Sequence, residues 1–541
     1  MVNQQTMPQH PFRIGLDLDH TILEYIRLAH GLAVENGWIT PQTPVEKLQI
    51  KKGLVETAGN AETGEIRWQE IQAMIFGAHI HSAPLFPGFQ DFVRDMRKQG
   101  HELYIVSHKT ETSHINPSVR LREHALDTLT RRGFFKSVEA GGLGFQKEHV
   151  FFESTRAEKV ARINMLKPSV FIDDLSSVLE HPDFPKTTQP ILFREKGHAN
   201  LPVCSNYHQV ISLSLPDLHR MSNEPLKHWR LIKRGGNNVI LQLEFQDGKQ
   251  VVVKQYFENA ADPRPRLDCE WMFLSMLHDQ VPGSSPQPLL RLSNGLVMDY
   301  VQGAPPKHAD FFPIMVKLDE IGQRIDRTAI GIAAHARFKL SDFREHADRR
   351  FKDLTLACAS KACPAEAAHF LKEQFLPVYH SAIFRFESFC NQVALQADGY
   401  LPQPLHYPSP SDFGLHNCLE DKGGRLLFLD FEYAGWDDPV KLLCDFLRHV
   451  GNNLPVETRL HAIRRFISYR KQDPTLENRF RAVCDLVGLE WILIVLNVLI
   501  STELERKQFA SHGTAGKELV LARLEKAQEL LAAFRSVDDL L

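Results

Sequence analysis

The sequence predicts two domains of different architecture, an α/β domain followed by an α+β domain. Three observations predict this organisation. The chain has 541 residues, which is too long for one core, and a prior of about 150 residues per domain suggests three or four compact units within it. Its N-terminal third alternates apolar, strand-like runs with helical patterns, and two of those runs end in carboxylates. Beyond residue 226 the pattern changes to antiparallel strands and then to a long helical region.

Composition is typical of a soluble globular protein and excludes several classes. Hydrophobic residues make up 43% and charged residues 24% of the chain, as in ordinary domains. The formal net charge of −3 predicts no nucleic-acid-binding surface. The eight cysteines include no CxxC pair, so we expect reduced thiols in a cytoplasmic protein. The apolar stretch 482–501 contains charged residues, so we expect a buried helix and no membrane span.

The first strand-like run, FRIGLDL, leads into two carboxylates separated by one residue. These are Asp17 and Asp19, and Thr21 follows them. Two carboxylates at the end of one strand point to a common site. One can attack phosphorus as a nucleophile, and the other can protonate the leaving group and then activate water.

Two later strand-like runs carry further polar residues. The run HELYIVSH contains Ser107, and the run VFIDD ends in Asp173 and Asp174. Carboxylates offer oxygen ligands, and an incomplete set of protein oxygens suits Mg²⁺, which retains waters and substrate phosphate. Each part alone is also compatible with a solvated carboxylate at the end of a strand. Together they place several oxygen ligands at the ends of neighbouring strand-like runs.

The motif DLDHT resembles the DxDxT signature of haloacid-dehalogenase-type phosphatases, and the other parts of that signature follow in order. The resemblance implies that Asp17 becomes phosphorylated and that Ser107 binds the phosphoryl group. It also implies a magnesium site, whose ligands would be Asp17, Asp19, Asp173 and Asp174. A lysine that neutralises the phosphoryl charge is expected as well. Lys159 fits this role best, and Lys147 is the alternative.

The phosphatase resemblance covers roughly residues 10–200 and implies a Rossmann-like core. An insertion at about 24–82 would form a helical cap over the site and narrow the substrate range toward small molecules. No long Gly/Ser-rich or Pro-rich linker follows, and the α/β pattern is lost between about 210 and 225. We therefore expect the first domain to span 1–215.

The second domain, expected at 226–541, begins with three strand-like runs. The turn KRGGNN contains Gly235 and Gly236, whose backbone N–H groups could cover nucleotide phosphates, although a glycine pair is usually just a hairpin turn. The run VVVKQY places Lys254 among β-branched residues, where an unpaired ammonium is expensive to bury. We expect an anionic partner for Lys254, and the alternative is an edge-strand lysine facing solvent.

The stretch SDFGLHNCLEDKGGRLLFLDFEYAGWDDP carries oxygen ligands at two places. Asp412 and Asn417 lie five residues apart on a loop, and Asp430 follows a turn and an apolar run. Phosphoryl transfer from a nucleotide needs a carboxylate to orient the attacking hydroxyl, and an amide and a second carboxylate to hold Mg²⁺. We assign these roles to Asp412, Asn417 and Asp430 in that order. The alternative is a surface loop of turn-forming residues before a buried strand.

This stretch resembles the catalytic and metal-binding segments of aminoglycoside phosphotransferases and choline kinases, and FLDFEYAGW is closest to the choline kinases. The resemblance covers roughly 226–535. It implies a two-lobed, protein-kinase-like fold that uses ATP and Mg²⁺. The N-lobe is expected at about 226–303 and the helical C-lobe at about 304–541.

The kinase resemblance also implies roles for residues outside the catalytic stretch. Lys254 would pair with the nucleotide phosphates and with Glu270 on the following helix. Adenine would bond to backbone groups near Asp299 and Val301. These kinases usually carry a histidine two residues before the catalytic aspartate, where this chain has Pro410.

The two halves together predict a bifunctional kinase and phosphatase that acts on small molecules of the sugar, polyol or amino-alcohol class. Similar sequence motifs occur in bacterial phosphotransferase-like families encoded with surface-polysaccharide genes. This resemblance favours a carbohydrate or polyol as the substrate. The alternative is a regulatory protein whose nucleotide-binding pseudokinase half controls the phosphatase, and Pro410 favours it. An antibiotic-modifying enzyme is a weaker alternative, because the sequence of the helical lobe shows no clustered acidic residues for a cationic aminoglycoside.

Overall fold

A computed structural model of the protein describes residues 12–540 with several gaps. The gaps are 114, 195–197, 199, 234–237, 258–263, 307–310, 329, 361–362, 412, 453, 501–502 and 506–516. The chain divides into two compact units. The first comprises Met1–Arg230 and Leu243–Lys249, and the second comprises Leu231–Gln242 and Gln250–Leu541.

The first unit is built on a six-stranded sheet whose neighbouring strands are all parallel. The strands are β1 (Arg13–Leu16), β2 (Glu102–His108), β3 (Val150–Glu153), β4 (Val170–Asp173), β5 (Gln189–Phe193) and β6 (Val203–Cys204). The helices are α1 (Ile26–Glu35), α2 (Lys47–Ala58), α3 (Ala61–Met74), α4 (Phe89–Lys98), α5 (Leu121–Arg131), α6 (Arg156–Leu166), α7 (Ser176–Leu179), α8 (Tyr207–Ser212) and α9 (Leu218–Met221).

Strand β1 lies in the middle of the sheet, in the order β3-β2-β1-β4-β5-β6. The chain extends to one side of β1 with β2 and β3 and then to the other side with β4. In open parallel sheets, ligands bind outside the carboxyl ends of the strands where this reversal occurs. The backbone N–H of Asp17 extends the ladder by donating to the Ile172 carbonyl at 2.9 Å. The sheet topology therefore places Asp17 at the expected position of a ligand crevice.

Gly15 of β1 permits the close approach of β4. A Cβ atom at this position would lie 2.3 Å from the ring of Phe171. Since no larger residue fits without moving that ring, Gly15 allows the fully buried Phe171 to pack directly against β1.

The segment between β1 and β2 is helical, as the sequence predicts. It contains α1, α2 and α3, followed by a π-helical turn, Ile75–His79. Asn60 caps the start of α3 by accepting a hydrogen bond from the Thr63 backbone N–H at 2.8 Å.

The second sheet has five strands in the order β10-β11-β9-β8-β7. The remaining strands of the chain are β7 (Leu226–Lys233), β8 (Asn238–Phe245), β9 (Gln250–Tyr256), β10 (Pro288–Leu292), β11 (Gly295–Asp299), β12 (Gly303–Ala304), β13 (Tyr407–Ser409), β14 (Cys418–Asp421), β15 (Leu426–Phe428) and β16 (Gly435–Asp437). Strands β12, β14 and β15 form a small antiparallel sheet, and β13 pairs with β16. The hairpin of β14 and β15 directly precedes Asp430.

The rest of the second unit is mainly helical. Its α-helices are α10 (Arg266–Gln280), α11 (Phe311–Arg324), α12 (Leu340–Cys358), α13 (Ala365–His369), α14 (Leu376–Gln392), α15 (Pro439–Arg448), α16 (Val456–Tyr469), α17 (Leu476–Val495) and α18 (Lys517–Ala532). Helix α17 packs against α12, α14, α15 and α18. Among the described residues, one helical stretch, Leu476–Leu499, is long and apolar enough to cross a membrane, but 83% of its apolar window is buried inside the protein. Burial on all sides is typical of a core helix.

A buried ion pair joins α17 to the segment before α12. Glu490 of α17 lies 2.5 Å from the guanidinium of Arg337, and both side chains are 4% exposed. Arg350 of α12 lies 3.5 Å from the other oxygen of Glu490. Burial alone would raise the pKa of Glu490, but Arg337 and Arg350 outweigh it and lower the pKa. The carboxylate is therefore held in its charged form by two cations.

Replacing Glu490 by alanine is expected to destabilise the second unit by about 3–5 kcal/mol, because the buried Arg337 would lose its carboxylate. The matched control is Glu477→Ala on the same helix, whose pair with Arg481 is exposed and is worth less than about 1 kcal/mol. Urea unfolding followed by tryptophan fluorescence measures both variants. Equal unfolding midpoints for the two variants would contradict the expectation.

Candidate active sites

The first candidate site surrounds a buried lysine at the carboxyl end of β1. The Lys159 ammonium lies 2.6 Å from Asp17 Oδ1 and 2.6 Å from Asp173 Oδ2. Its side chain is 1% exposed. Because a buried ammonium is stable only with anionic partners, these three residues form one charged unit. The alternative lysine, Lys147, lies elsewhere, with its ammonium 5.7 Å from the Phe135 ring centroid.

Helix α6 places Lys159 by a local sequence signal. Thr155 accepts a hydrogen bond from the Glu158 backbone N–H at 3.1 Å, and Glu158 accepts one from the Thr155 backbone N–H at 3.0 Å. This reciprocal capping box fixes where the helix begins. Lys159 therefore sits in the first turn of α6, with its side chain directed to the ends of β1 and β4.

Burial, with a contribution from neighbouring carboxylates, raises the pKa values of two aspartates in the first site. Burial raises the pKa of Asp17 to about 7, with Lys159 opposing the shift and Asp173 and Asp19 adding to it. Burial and the neighbouring Asp173 also raise the pKa of Asp174 well above its ordinary value. A bound cation would offset this accumulation of charge.

The arrangement of the carboxylates fits a divalent cation. Oxygen atoms of Asp17, Asp173 and Asp174 lie within 4.8 Å of one another. Two ligands of one Mg²⁺ ion, each about 2.1 Å from it, are at most about 4.2 Å apart, so small side-chain movements complete the site. Asp19, which the sequence also suggests as a ligand, is not a member of this group among the described residues.

The Asp19 carboxylate is instead held by two donors that sequence reasoning missed. Tyr25 donates its hydroxyl to Asp19 Oδ1 at 2.8 Å, and the Lys109 ammonium lies 2.7 Å from Asp19 Oδ2. The only sequence signal for Lys109 is its position two residues after Ser107. The Asp19 carboxylate is thus oriented by Tyr25 and Lys109 and does not belong to the group of proposed metal ligands.

Two hydroxyl groups near this strand edge have no hydrogen-bond partner among the residues that the structure describes. They belong to Ser107, near the end of β2, and to Thr21, both fully buried. An unpaired buried hydroxyl costs free energy unless a ligand supplies the missing partner. A phosphoryl group bound at Asp17 would offer acceptor oxygens to such donors.

The second candidate site also surrounds a buried lysine. The Lys254 ammonium on β9 lies 2.5 Å from Glu270 of α10 and 2.5 Å from Asp430. The Tyr256 hydroxyl donates to the same Glu270 oxygen at 2.5 Å. Burial alone would lower the pKa of Lys254, but Asp430 and Glu270 outweigh it and raise the pKa well above its ordinary value. The ammonium is therefore charged and paired, as the valine-rich strand predicts, and the edge-strand alternative does not apply.

A backbone hydrogen bond joins the two segments that carry the predicted magnesium ligands of the second unit. The Leu429 N–H donates to the Asn417 carbonyl at 2.9 Å, so Asp430 directly follows the residue bonded to Asn417. Asp430 has a φ of 67° and Ser411 a φ of 70°. Non-glycine residues in this left-handed region are uncommon and cluster at functional sites. Asp430 thus combines an uncommon backbone conformation with a carboxylate that contacts Lys254.

Three predicted residues, Asp412, Gly235 and Gly236, lie outside the described residues. The loop before Asp412 is anchored nonetheless. The Lys441 ammonium donates to the Ser411 carbonyl at 2.9 Å and to Asp445 at 2.8 Å. Lys441 is a buried anchor of the loop that the sequence did not reveal.

A further acidic residue joins Asp430. Oxygen atoms of Glu270, Asp430 and Glu432 lie within 4.8 Å of one another, which is compatible with a shared divalent cation. The Asn238 side-chain amide donates to Glu432 at 2.8 Å. Of the two predicted ligands, Asp430 belongs to this cluster, and Asn417 is linked to it through the backbone of Leu429.

Two other acidic residues near the metal motif are structural. Asp438 caps α15 by accepting from the Val440 N–H at 2.8 Å, and it pairs with Arg479. Asp437 accepts from the backbone N–H groups of Arg337 and Asp438, at 2.9 and 2.8 Å. These contacts hold chain segments of the second unit together.

One hydrogen bond limits which backbone groups the predicted adenine contacts can use. Asp299 ends β11, and Val301 follows two residues later. The Asp299 backbone N–H already donates to the Gln287 carbonyl at 3.0 Å. An adenine ring would therefore have to use the carbonyl of Asp299 and groups of Val301, since that N–H is engaged in the sheet.

No protein-family model and no curated protein sequence matches the chain. Solved structures of small-molecule phosphotransferases are similar to about 60% of it. Spectinomycin phosphotransferase, solved with ADP and spectinomycin, is 14% identical, with 59% of this chain and 98% of that chain covered and a TM-score of 0.39. The ethanolamine kinase of Plasmodium vivax is 13% identical, with 62% and 90% covered and a TM-score of 0.40.

Choline kinase LicA from Streptococcus pneumoniae is 16% identical, with 61% of this chain and 99% of that chain covered and a TM-score of 0.38. None of these three proteins is a haloacid-dehalogenase-type phosphatase. Scores this low assign no family to the chain, so the kinase and phosphatase assignments depend on the geometry of the two sites.

Proposed function

We propose that the protein is a bifunctional phosphoryl-transfer enzyme. The second unit catalyses ATP-dependent phosphorylation of a small-molecule hydroxyl, and the first unit hydrolyses a phosphomonoester. One observation carries the proposal. In each unit a buried lysine bridges two carboxylates of an acidic cluster whose spacing fits a divalent cation, Lys159 in the first and Lys254 in the second. Buried ionisable clusters of this kind are found preferentially at functional sites.

The first unit would hydrolyse its substrate in two steps. Asp17 attacks phosphorus, the bond from phosphorus to the leaving oxygen breaks, and Asp19 protonates that oxygen. Asp19 then accepts a proton from water, which attacks the aspartyl-phosphate and breaks the bond from phosphorus to Asp17. Lys159 stabilises the charge on the phosphoryl oxygens, and the unpaired hydroxyl of Ser107 donates to one of them.

In the second unit, the substrate hydroxyl oxygen would attack the γ-phosphorus of ATP while the bond to the bridging oxygen of ADP breaks. Asp412 accepts the hydroxyl proton, and Lys254 holds the nucleotide phosphates. Asp17, Asp173 and Asp174 would hold Mg²⁺ in the first unit, and Asn417 and Asp430 would hold it in the second. The bound ion would neutralise part of the phosphate charge.

A chemical constraint narrows the substrates. If both units acted on the same phosphate, their combined action would only hydrolyse ATP. The kinase and the phosphatase therefore act on different positions or in different steps, as when one phosphate is added to a molecule and another is removed. A carbohydrate or polyol offers several hydroxyl positions and suits this requirement.

The test of the kinase half is the variant Asp412→Ala. We expect its ATP-dependent phosphorylation to fall by roughly a hundredfold to ten-thousandfold, the contribution of a positioned base, while its phosphatase activity is unchanged. The assay incubates the full chain with ATP, Mg²⁺ and a panel of sugars, polyols and amino alcohols, and it measures ADP release and product mass. Asp398→Ala, at an exposed loop position of the same lobe, is the matched control.

The outcomes separate the two functions considered. Phosphorylation that Asp412→Ala abolishes and Asp398→Ala retains supports the kinase. If the wild-type chain binds ATP but phosphorylates no member of the panel, the result supports the regulatory pseudokinase, which Pro410 favours, and contradicts the kinase. Phosphorylation at an undiminished rate in Asp412→Ala would contradict the assignment of the base.

A further inference from the structure

The carboxylate of Asp19 is bound at both of its oxygens. Tyr25 donates to Oδ1 at 2.8 Å, and Lys109 lies 2.7 Å from Oδ2. A carboxylate with a donor on each oxygen cannot rotate freely about its side-chain bond, because either rotation would break one of these contacts. Asp19 is therefore presented to the site in one orientation.

Both donors are themselves removed from water. Tyr25 is 1% exposed and Lys109 is 4% exposed. A buried ammonium needs compensation, and Lys109 has two sources of it. One is Asp19, and the other is the face of the Phe76 ring, whose centroid lies 4.1 Å from the ammonium.

Phe76 also supports Tyr25. The two rings meet edge to face with centroids 5.2 Å apart, and the His20 ring meets Tyr25 in the same way at 5.3 Å. A single aromatic ring therefore contacts both residues that hold Asp19. The orientation of the carboxylate depends on where Phe76 is placed.

An irregular turn places Phe76. It lies in the π-helical turn Ile75–His79 at the end of α3, and Gly77 within that turn has non-helical angles, φ −92° and ψ −110°. A Cβ atom at Gly77 would lie 2.8 Å from the side chain of Val119. Such π-turns are rare and occur frequently at functional sites. The inserted helical segment thus contributes a residue to the surroundings of Asp19.

We infer that Tyr25 and Lys109 are positioning residues for Asp19, and that Phe76 of the inserted segment holds both of them in place. The inference rests on the proposed phosphatase function. Positioning matters most for hydrolysis of the aspartyl-phosphate, since a water molecule and the carboxylate must then be aligned. It matters least for departure of a leaving group that needs no proton.

The experiment uses the full chain with p-nitrophenyl phosphate, whose leaving group departs as an anion. Rapid-quench kinetics measure the first release of nitrophenolate and the later steady state separately. In Tyr25→Phe and Lys109→Met we expect an initial burst of nitrophenolate close to one equivalent per site. The steady-state kcat should be lowered by about tenfold to a hundredfold, which is the effect of losing a hydrogen bond to a charged group. KM is expected to rise less than kcat falls.

Two further variants guard against a merely structural effect. Tyr104→Phe removes a similar tyrosine–carboxylate hydrogen bond, 2.9 Å to Glu102, at the opposite end of β2, and its kinetics should match the wild type. Phe76→Leu keeps an apolar residue but removes the aromatic face, and it should show the same burst with slow turnover.

The results that overturn the inference are distinct from those that overturn the proposed function. Steady-state turnover within about twofold of wild type in Tyr25→Phe and Lys109→Met, a change too small for a lost charged hydrogen bond, overturns the positioning role alone. If these variants lose both the burst and the steady-state turnover, the positioning role is also overturned, because the first step of the reaction has then failed. Absence of hydrolysis by the wild-type chain overturns the proposed phosphatase and this inference with it.

Discussion

Asp17→Asn is expected to abolish phosphomonoester hydrolysis, with a loss of roughly a thousandfold or more. The amide cannot form the aspartyl-phosphate, so the two-step route is closed at its first bond. The variant should still fold, because Lys159 keeps Asp173 as a partner at 2.6 Å. Hydrolysis of p-nitrophenyl phosphate measures the rate, and mass spectrometry of the quenched protein detects the phosphorylated aspartate.

The matched control for this prediction is Asp183→Asn, in which the replaced side chain is 83% exposed. It should hydrolyse at the wild-type rate. ATP-dependent phosphorylation by Asp17→Asn serves as an internal control and should be unchanged, since the second site shares none of these residues. Undiminished hydrolysis by Asp17→Asn would show that another group attacks phosphorus.

Lys254→Met is also expected to have a large effect. ATP-dependent phosphorylation should fall by roughly a hundredfold to a thousandfold. Lys254 is the cation between Glu270 and Asp430, at 2.5 Å from each. Without it the two carboxylates repel each other and the triphosphate loses its cationic partner. ADP release measures the rate, and calorimetric titration with ATP separates lost binding from lost chemistry.

Lys249→Met provides the control for this second prediction, because Lys249 lies in an exposed turn. It should phosphorylate at the wild-type rate. Retained phosphatase activity in Lys254→Met would show that the loss does not come from unfolding of the whole chain. A Lys254→Met protein that phosphorylates normally would contradict the role of this lysine in nucleotide binding.

Much of the architecture could be predicted because its signals are local. Apolar runs that end in acids predict buried strands with ligands at their ends, and β1 and β4 place Asp17 and Asp173 in this way. Valines around Lys254 predict a buried ammonium with an anionic partner, which the structure supplies. A capping pair of Thr155 and Glu158 marks the start of α6 from the sequence alone.

Other features depended on contacts between distant parts of the chain. The resemblance left Lys159 and Lys147 as candidates, and the choice depended on a contact with Asp17 across 142 residues of sequence. The engaged N–H of Asp299 and the pairing of Asp438 with Arg479 likewise follow from neighbours that periodicity does not specify.

The sequence by itself determined which segments are strands and helices and which acidic residues end the strands, because hydrophobic period and turn residues act over a few positions. The tertiary structure alone decided that Tyr25 and Lys109 hold Asp19, that Phe76 supports both, and that Lys441 anchors the loop before Asp412. These partners meet because strand order and helix packing bring them together, and a local pattern carries no information about that order.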